Sequence, residues 1–212
     1  MLDPSSSISN SDERLTEDLQ RCVRFHGHLC PGLTYGYLVA VQALTLLPVD
    51  RSADEEVVAI SENDTCAVDA LQVILGTTIG KGNLVVRDYG KNVFTIFSRE
   101  RRRAIRFSRK RNYVYDGPEK AEFETLEEAY RNGRATGAQR QRQKWLKTLD
   151  LLAKPFDKIF EVKPVACPDL PYAPLAPSKP CSICGEMTMA TKLISRGEGT
   201  QLCIPCAEKT AL

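Results

Sequence analysis

Histidine is almost missing from this chain: 212 residues hold two, beside one tryptophan and three methionines. A strong net charge is missing as well, since the formal value is +2. No global polyelectrolyte argument for nucleic acid or a membrane surface follows from it. Nor is there a membrane-length apolar run. The longest, Leu33 to Val49, is broken by Thr34, Gln42, Thr45 and Pro48 and reads as a core helix. Nothing at the N-terminus has the pattern of a signal peptide, and the cysteines do not read as a disulfide framework, because four of the eight form two C-x-x-C pairs. A reducing, cytoplasmic setting with no membrane partner is the expectation.

What is present is concentrated. Both histidines fall in Arg24-Phe25-His26-Gly27-His28-Leu29-Cys30-Pro31-Gly32, beside a cysteine. Imidazole and thiol side chains bind transition metals and carry nucleophilic or proton-transfer chemistry near neutral pH, and so dense a set of polar groups suits a core poorly. Pro31 fits the first position of a helix, and Leu33, Tyr37, Ala40, Val41, Leu44 and Leu47 follow at helical spacing. Cys30 would then sit at a helix mouth, where free N–H groups lower a thiol pKa. Asn63-Asp64-Thr65 offers capping side chains to a second helix, with Cys66 in its first turn before Ala67, Val68, Leu71, Ile74 and Leu75. Taken alone, Cys66 reads equally as a small buried hydrophobe.

In chain order, residues 1–14 read as a mobile tail, and Leu15, Leu19 and Val23 as a short helix carrying Cys22 in its buried side. The long helix stops near Pro48, and Val57 to Ile60 reads as a buried strand aimed at the Cys66 helix. Gly76 to Asn83 is not a phosphate loop: it is one residue short of the pattern, has Gly82 where Ser or Thr should stand, and follows a helix. A helix cap and turn explain its glycines, with Lys81 a candidate for facing an anion. Leu84 to Asp88 and Val93 to Phe97 read as a hairpin, with a third strand at Ala104 to Ser108. Arg99 to Arg111 holds eight basic residues, read either as a protected edge or as a phosphate-binding surface. Two oppositely charged helices follow, around Leu126, Ala129 and Tyr130 and around Trp145, Leu146, Leu149 and Leu152, with a possible edge strand at 156–162. The fold expected is α+β, a layered α-β-α-β-β-β core over 15–165 with added helices. Residues 166–180, with prolines at 168, 171, 174, 177 and 180, form a semi-rigid linker to a small C-terminal domain over 181–212.

That domain carries Cys181-Ser182-Ile183-Cys184 and Cys203-Ile204-Pro205-Cys206, eighteen residues apart. Two matched pairs point to one tetrahedral Zn²⁺, with a turn at Arg196 to Gly199 between them. A closed four-cysteine site is structural, and a segment this short depends on its metal to fold.

The stretches Phe25 to Gly32, Glu62 to Ala70 and Gly80 to Leu84 together resemble the three signatures of the formylmethanofuran dehydrogenase E-subunit family, several members of which end in a treble-clef-like zinc finger. The resemblance implies the same α+β core and a metal-containing site lined by the His/Cys segment and the cysteine after Asn-Asp. Many members have a further cysteine where this chain has Thr77, a departure that removes one soft ligand. The family name comes from an enzyme of methanogenesis whose catalytic subunits are other chains. The expected protein binds two metals: a structural zinc on Cys181, Cys184, Cys203 and Cys206, and a zinc or other transition metal on His26, His28, Cys30 and Cys66, with Asp69 or Asn63 behind the ligands. Cys30, His28 and Cys66 are the catalytic candidates, for one-carbon or redox work on a small molecule, as a homodimer or as part of a larger oxidoreductase. A nucleic-acid-binding regulator using the finger and the basic run, and a thiol protein cycling Cys30 and Cys66, are the alternatives.

Overall fold

The computed structural model describes residues 14–197 and 199–210. The tail expected over 1–14 lies outside them except for Arg14. The chain divides into two compact units, the first ending at Asp169 and the second beginning at Leu170.

The first unit opens with α1 (Glu17–His26), capped by the Thr16 hydroxyl and closed by Gly27 in the left-handed region. Helix α2 (Pro31–Leu46) starts on Pro31, as that residue's fixed φ favours. Strand β1 (Val57–Ser61) is buried throughout and leads to α3 (Ala67–Leu75). Strands β2 (Leu84–Val86), β3 (Val93–Ser98), β4 (Arg103–Arg109) and β5 (Phe160–Val165) complete a five-stranded mixed sheet in the order β2-β1-β3-β4-β5. Between β4 and β5 come α4 (Lys120–Arg131), α5 (Gly137–Ala153) and a single turn, α6 (Phe156–Ile159).

The expected hairpin of residues 84–97 does not form, because β1 lies between β2 and β3, parallel to the first and antiparallel to the second. The connection passes over the carboxyl end of β1. There Arg87 N–H donates to the Ser61 carbonyl at 2.8 Å, and the N–H groups of Tyr89 and Lys91 donate to Glu62 at 3.0 Å each. A central strand with every residue buried gains pairing on both edges this way. From β3 onward the sheet is an antiparallel meander with β5 on the outside edge; the edge strand expected at 156–162 begins only at Phe160, because residues 156–159 form the α6 turn.

One core joins α1, α2 and α3 to Phe94 and Ile96 of β3, Ile105 and Phe107 of β4, and Phe160. The α2–α3 crossing is unusually close: a Cβ on Gly36 would stand 2.1 Å from the Ala67 carbonyl oxygen. Helices α4 and α5 share a smaller cluster of Tyr115, Phe123, Leu126 and Leu146. Tyr130, expected inside, is half exposed in the last turn of α4 beside its exit at Asn132, and Phe123 takes the buried place instead. The opposite charge blocks meet within the chain, Arg142 holding Glu122 through two bonds of 2.8 and 2.9 Å. Among the described residues no helix is long and apolar enough to cross a membrane.

In the second unit β6 (Ser178–Pro180) pairs with β7 (Met187–Met189), and β8 (Ile194–Ser195) with β9 (Gln201–Leu202), before α7 (Ile204–Lys209). The expected turn near Gly197 is present, Thr200 N–H donating to the Gly197 carbonyl, while Glu198 lies outside the described residues.

Candidate metal centres

The end of α1 and the start of α2 are only four residues apart, so Gly27 must reverse the chain at once. It does so at φ 91°, a conformation glycine adopts without a Cβ penalty. The reversal folds His28 back on His26, their rings 4.5 Å apart. One ligand atom from each of His26, His28 and Cys30 then lies within 4.8 Å of the other two. His26 Nδ1 lies 2.7 Å from Asp69 Oδ2 on α3, and its Nε2 is 3.8 Å from Cys30 Sγ. Asp69 thereby fixes the ring with Nε2 turned inward, the arrangement seen behind metal-bound imidazoles. Gln72 donates to the other oxygen of Asp69 at 3.1 Å and steadies it.

Cys30 caps α2, its sulfur accepting from Leu33 N–H at 3.4 Å. The lowered thiol pKa expected at a helix mouth is not found. Burial pushes Cys30 upward and outweighs the Leu33 N–H, with Cys66 adding to the rise. His28 is shifted down by burial first, then by His26 and Lys144. Cys66 stands at the start of α3 and faces the same spot. A Cβ on Gly32 would lie 3.7 Å from the Cys66 sulfur and 3.9 Å from the Cys30 sulfur. It is not in the set of mutually close ligand atoms. Asn63 contributes at one remove, holding the turn before Cys66 through Thr65 and donating to the Lys91 carbonyl at 2.7 Å.

Two expectations change, and that for Cys22 holds. Thr77 is buried beyond the C-cap of α3 and donates to the Leu71 carbonyl. The helix between it and Cys66 is about 14 Å long at 1.5 Å per residue, so a cysteine at 77 adds no ligand to this cluster. Lys81 is not held out for an anion; its ammonium donates to the carbonyls of Ser52 and Ala53 at 3.2 Å each. The loop around it is instead organised by buried Asn83, which donates to Asp54 and Val57 carbonyls and accepts from Thr78 N–H. Cys22 is fully buried with its thiol pushed up to about 12, as suits a small hydrophobe.

The tail cluster is built by other means. Cys181, Cys184, Cys203 and Cys206 bring four sulfurs within 4.8 Å of one another, all free thiols. Cys184 and Cys203 are 3.8 Å apart, which matches the edge of about 3.8 Å of a tetrahedron with 2.3 Å Zn–S bonds. Gly185 at φ 74° tightens the first knuckle, and the second runs into α7 from Cys203 at its N-cap. Backbone N–H groups of Cys184, Cys203 and Ile183 lower the Cys181 thiol to about 6. The donor sets therefore fit thiophilic ions at both places.

Sequence reading missed Lys144, which faces His28 and Cys30 from α5, and the glycines at 32 and 36 that let α3 approach α2. The four-residue repeat Gly32-x-x-x-Gly36 within an apolar helix was the available signal. Nothing marked Lys144 among the many basic residues of α5.

A "Probable S-adenosyl-L-methionine-binding protein" of Archaeoglobus fulgidus is 32% identical to this chain over 205 residues, covering 94% of this chain and 55% of that one. The chain thus spans about half the length of that relative. Among solved structures, a tungsten formylmethanofuran dehydrogenase FmdE-like protein from Syntrophus aciditrophicus superposes with a TM-score of 0.60 over 92% of this chain and 93% of that one, at 21% identity, which establishes a shared fold. The family described as "FmdE, Molybdenum formylmethanofuran dehydrogenase operon" matches residues 25–161, from the His/Cys segment to the last strand of the sheet. On that match the chain belongs to the FmdE family.

Proposed function

We propose that this protein is a cytoplasmic metal-binding member of the family, stand-alone or accessory to a larger oxidoreductase, with a reactive metal centre on His26, His28 and Cys30 and a structural zinc in its tail. The observation that carries the reading is the His26 imidazole, locked by Asp69 on one nitrogen and facing Cys30 with the other. Three protein donors are the number reactive zinc sites use, whereas four cysteines close a site. A zinc or similar ion there would supply Lewis acidity toward a small carbonyl or thiol-bearing substrate in one-carbon or redox metabolism. Burial holds His28 toward its neutral form, the form that binds a metal, and Cys66 stands by as a fourth donor or a nucleophile.

Metal analysis of the purified chain tests this. Wild type is expected to hold about two ions, His26→Ala with Cys30→Ser to lose one, and Cys181→Ser to lose the other. Cys66→Ser separates donor from nucleophile: a drop in metal affinity makes it a donor, retained metal leaves it the reactive thiol. A wild type with one ion, unchanged by the His26/Cys30 substitutions, overturns the reading. The convergence of Cys30 and Cys66 sulfurs over Gly32 favours a second reading, a dithiol switch; mild oxidation should then join them in a disulfide detectable by mass. The relative's printed name adds S-adenosyl-L-methionine as a candidate ligand, and equilibrium dialysis against this chain tells whether the matching half is the one that binds it.

A further inference from the structure

A cleft of about 810 Å³ in the first unit lies away from the His/Cys cluster: none of His26, His28, Cys30 or Cys66 lines it. Its floor is apolar, made by Tyr35, Tyr113, Leu149, Leu151 and Ile159. Its size is that of small-molecule sites. Its charges are arranged unevenly. Each carboxylate already accepts from a neighbour: Asp150 from Tyr113 and from the Asp116 N–H, Glu119 from Tyr115, while Asp116 pairs with Lys154. The cations Arg109, Arg111 and Lys158 meet no carboxylate among the described residues. A second recess shares Arg109, Arg111 and Asn112 and adds Lys91 and Lys110 with no acidic residue.

This accounts for the basic run that the metal sites leave unexplained. Within it Arg99 pairs with Glu55 and Arg106 with Glu62, and Arg101 to Arg103 are exposed around the β3–β4 turn. Only the end of β4, from Arg109, brings unpaired charge to an apolar cavity. There the Arg109 guanidinium sits 5.1 Å over the Tyr35 ring, anchored through Nε to the Arg111 carbonyl. Its outer N–H groups remain for a ligand. Tyr35 is 7% exposed, and its hydroxyl, which makes no hydrogen bond among the described residues, is not sealed from solvent. A phenol hydroxyl that opens into an apolar cleft is placed to donate to what enters it.

We propose that this cleft binds a small organic anion with an apolar body, its carboxylate or phosphate held by Arg109 and the Tyr35 hydroxyl and its body laid over Leu149, Leu151 and Ile159. Arg111 and Lys158 at the rim draw the anion in and fix which end enters. Burial also holds the Tyr35 phenol above its ordinary pKa, so it stays a donor at neutral pH.

Calorimetric titration of the full chain with 1-naphthyl phosphate and with 1-naphthylmethylamine, equal in apolar body and opposite in charge, tests this. The phosphate is expected to bind and the amine to bind at least about tenfold more weakly. Arg109→Gln should weaken the phosphate by about tenfold or more, and Tyr35→Phe by a few fold. Lys158→Gln, at an exposed position where folding is not at risk, should weaken it by a few fold with a shallower salt dependence. Arg103→Gln, from the same basic run but exposed near the β3–β4 turn, should change nothing. No binding of the phosphate, equal binding of the amine, or indifference to both Arg109→Gln and Lys158→Gln overturns the proposal. Both metals stay out of these readouts, so failure here leaves the metal centre standing, and the reverse.

Discussion

The two ligand clusters of this protein are held together by opposite means. In the first unit the His/Cys set rides on helices that are already fixed by a large apolar core, with Leu19, Leu33, Leu71 and Phe94 fully buried beneath it. In the second, the buried hydrophobic set consists of Cys181, Cys203, Leu202 and Ala207, so half of the core is drawn from the candidate ligand set. One site is placed by a fold; the other places its fold. The lesson is that metal removal should be local chemistry in one unit and unfolding in the other.

The largest effect expected follows from that contrast. Chelation, or Cys181→Ser, should unfold residues 170–212, because apparent binding energies of structural Zn²⁺, about 10–16 kcal/mol, exceed anything so few apolar groups supply. Limited proteolysis with mass detection should find the new cuts in that segment, and the melting transition of the first unit should stay in place. A tail that resists protease after chelation breaks the comparison. Chelation should also empty the His/Cys site while leaving the first unit folded.

Next in size is Gly36→Ala. The added methyl meets the Ala67 backbone at 2.1 Å, and backbone cannot rotate away. A destabilisation of about 1–3 kcal/mol or more, read by denaturant unfolding, is expected, with weaker metal binding because Cys30 and Cys66 sit on the helices forced apart. Equal stability means the two helices slide freely. That outcome would deprive the His/Cys cluster of its rigid scaffold.

Asp69→Asn sharpens the comparison further. It keeps the shape and removes the charge behind His26, so the fold should hold while metal affinity falls by about 10–100-fold, measured against a competing chelator. In the tail, Cys181 is tuned instead by the N–H groups of Cys184, Cys203 and Ile183.

How much of this could be read in the residues differs by element. The tail was legible because two C-x-x-C pairs state their geometry in spacing alone. The His/Cys cluster was legible because Gly27 and Pro31 dictate a stop and a start within a few residues. Sheet order was not, since β2 and β3 look like a hairpin locally, and it is the pairing of Arg87 N–H with Ser61 and of Tyr89 and Lys91 N–H groups with Glu62 that carries the chain across β1. The Cys30 thiol was misjudged for a related reason. Helix-mouth N–H groups are visible in sequence, but burial at 5% exposure is a tertiary fact, and it wins. Lys81 shows the same limit: its charge is obvious, its engagement with the Ser52 and Ala53 carbonyls is not.

The smallest effect concerns Cys22, the thiol of the first unit's core that serves no ligand set. Its pKa in the fold is pushed up to about 12 from 9.0 by burial. A raised value on an acid means the native state keeps its proton where the unfolded chain gives it up, so stability is intact below pH 9 and falls as pH climbs from there toward 12. One pKa unit corresponds to about 1.4 kcal/mol, so between pH 8 and pH 10 wild type should lose roughly 1 kcal/mol more than Cys22→Ala. Denaturant midpoints at both pH values, compared between the two proteins, isolate that thiol from the tyrosines and lysines they share. At pH 7 wild type should be the more stable of the two, since the variant has lost buried sulfur and carries a small cavity. Parallel pH dependence in the two proteins would mean that Cys22 reaches water in the native state, and the core beneath the His/Cys cluster would then be looser than its packing indicates.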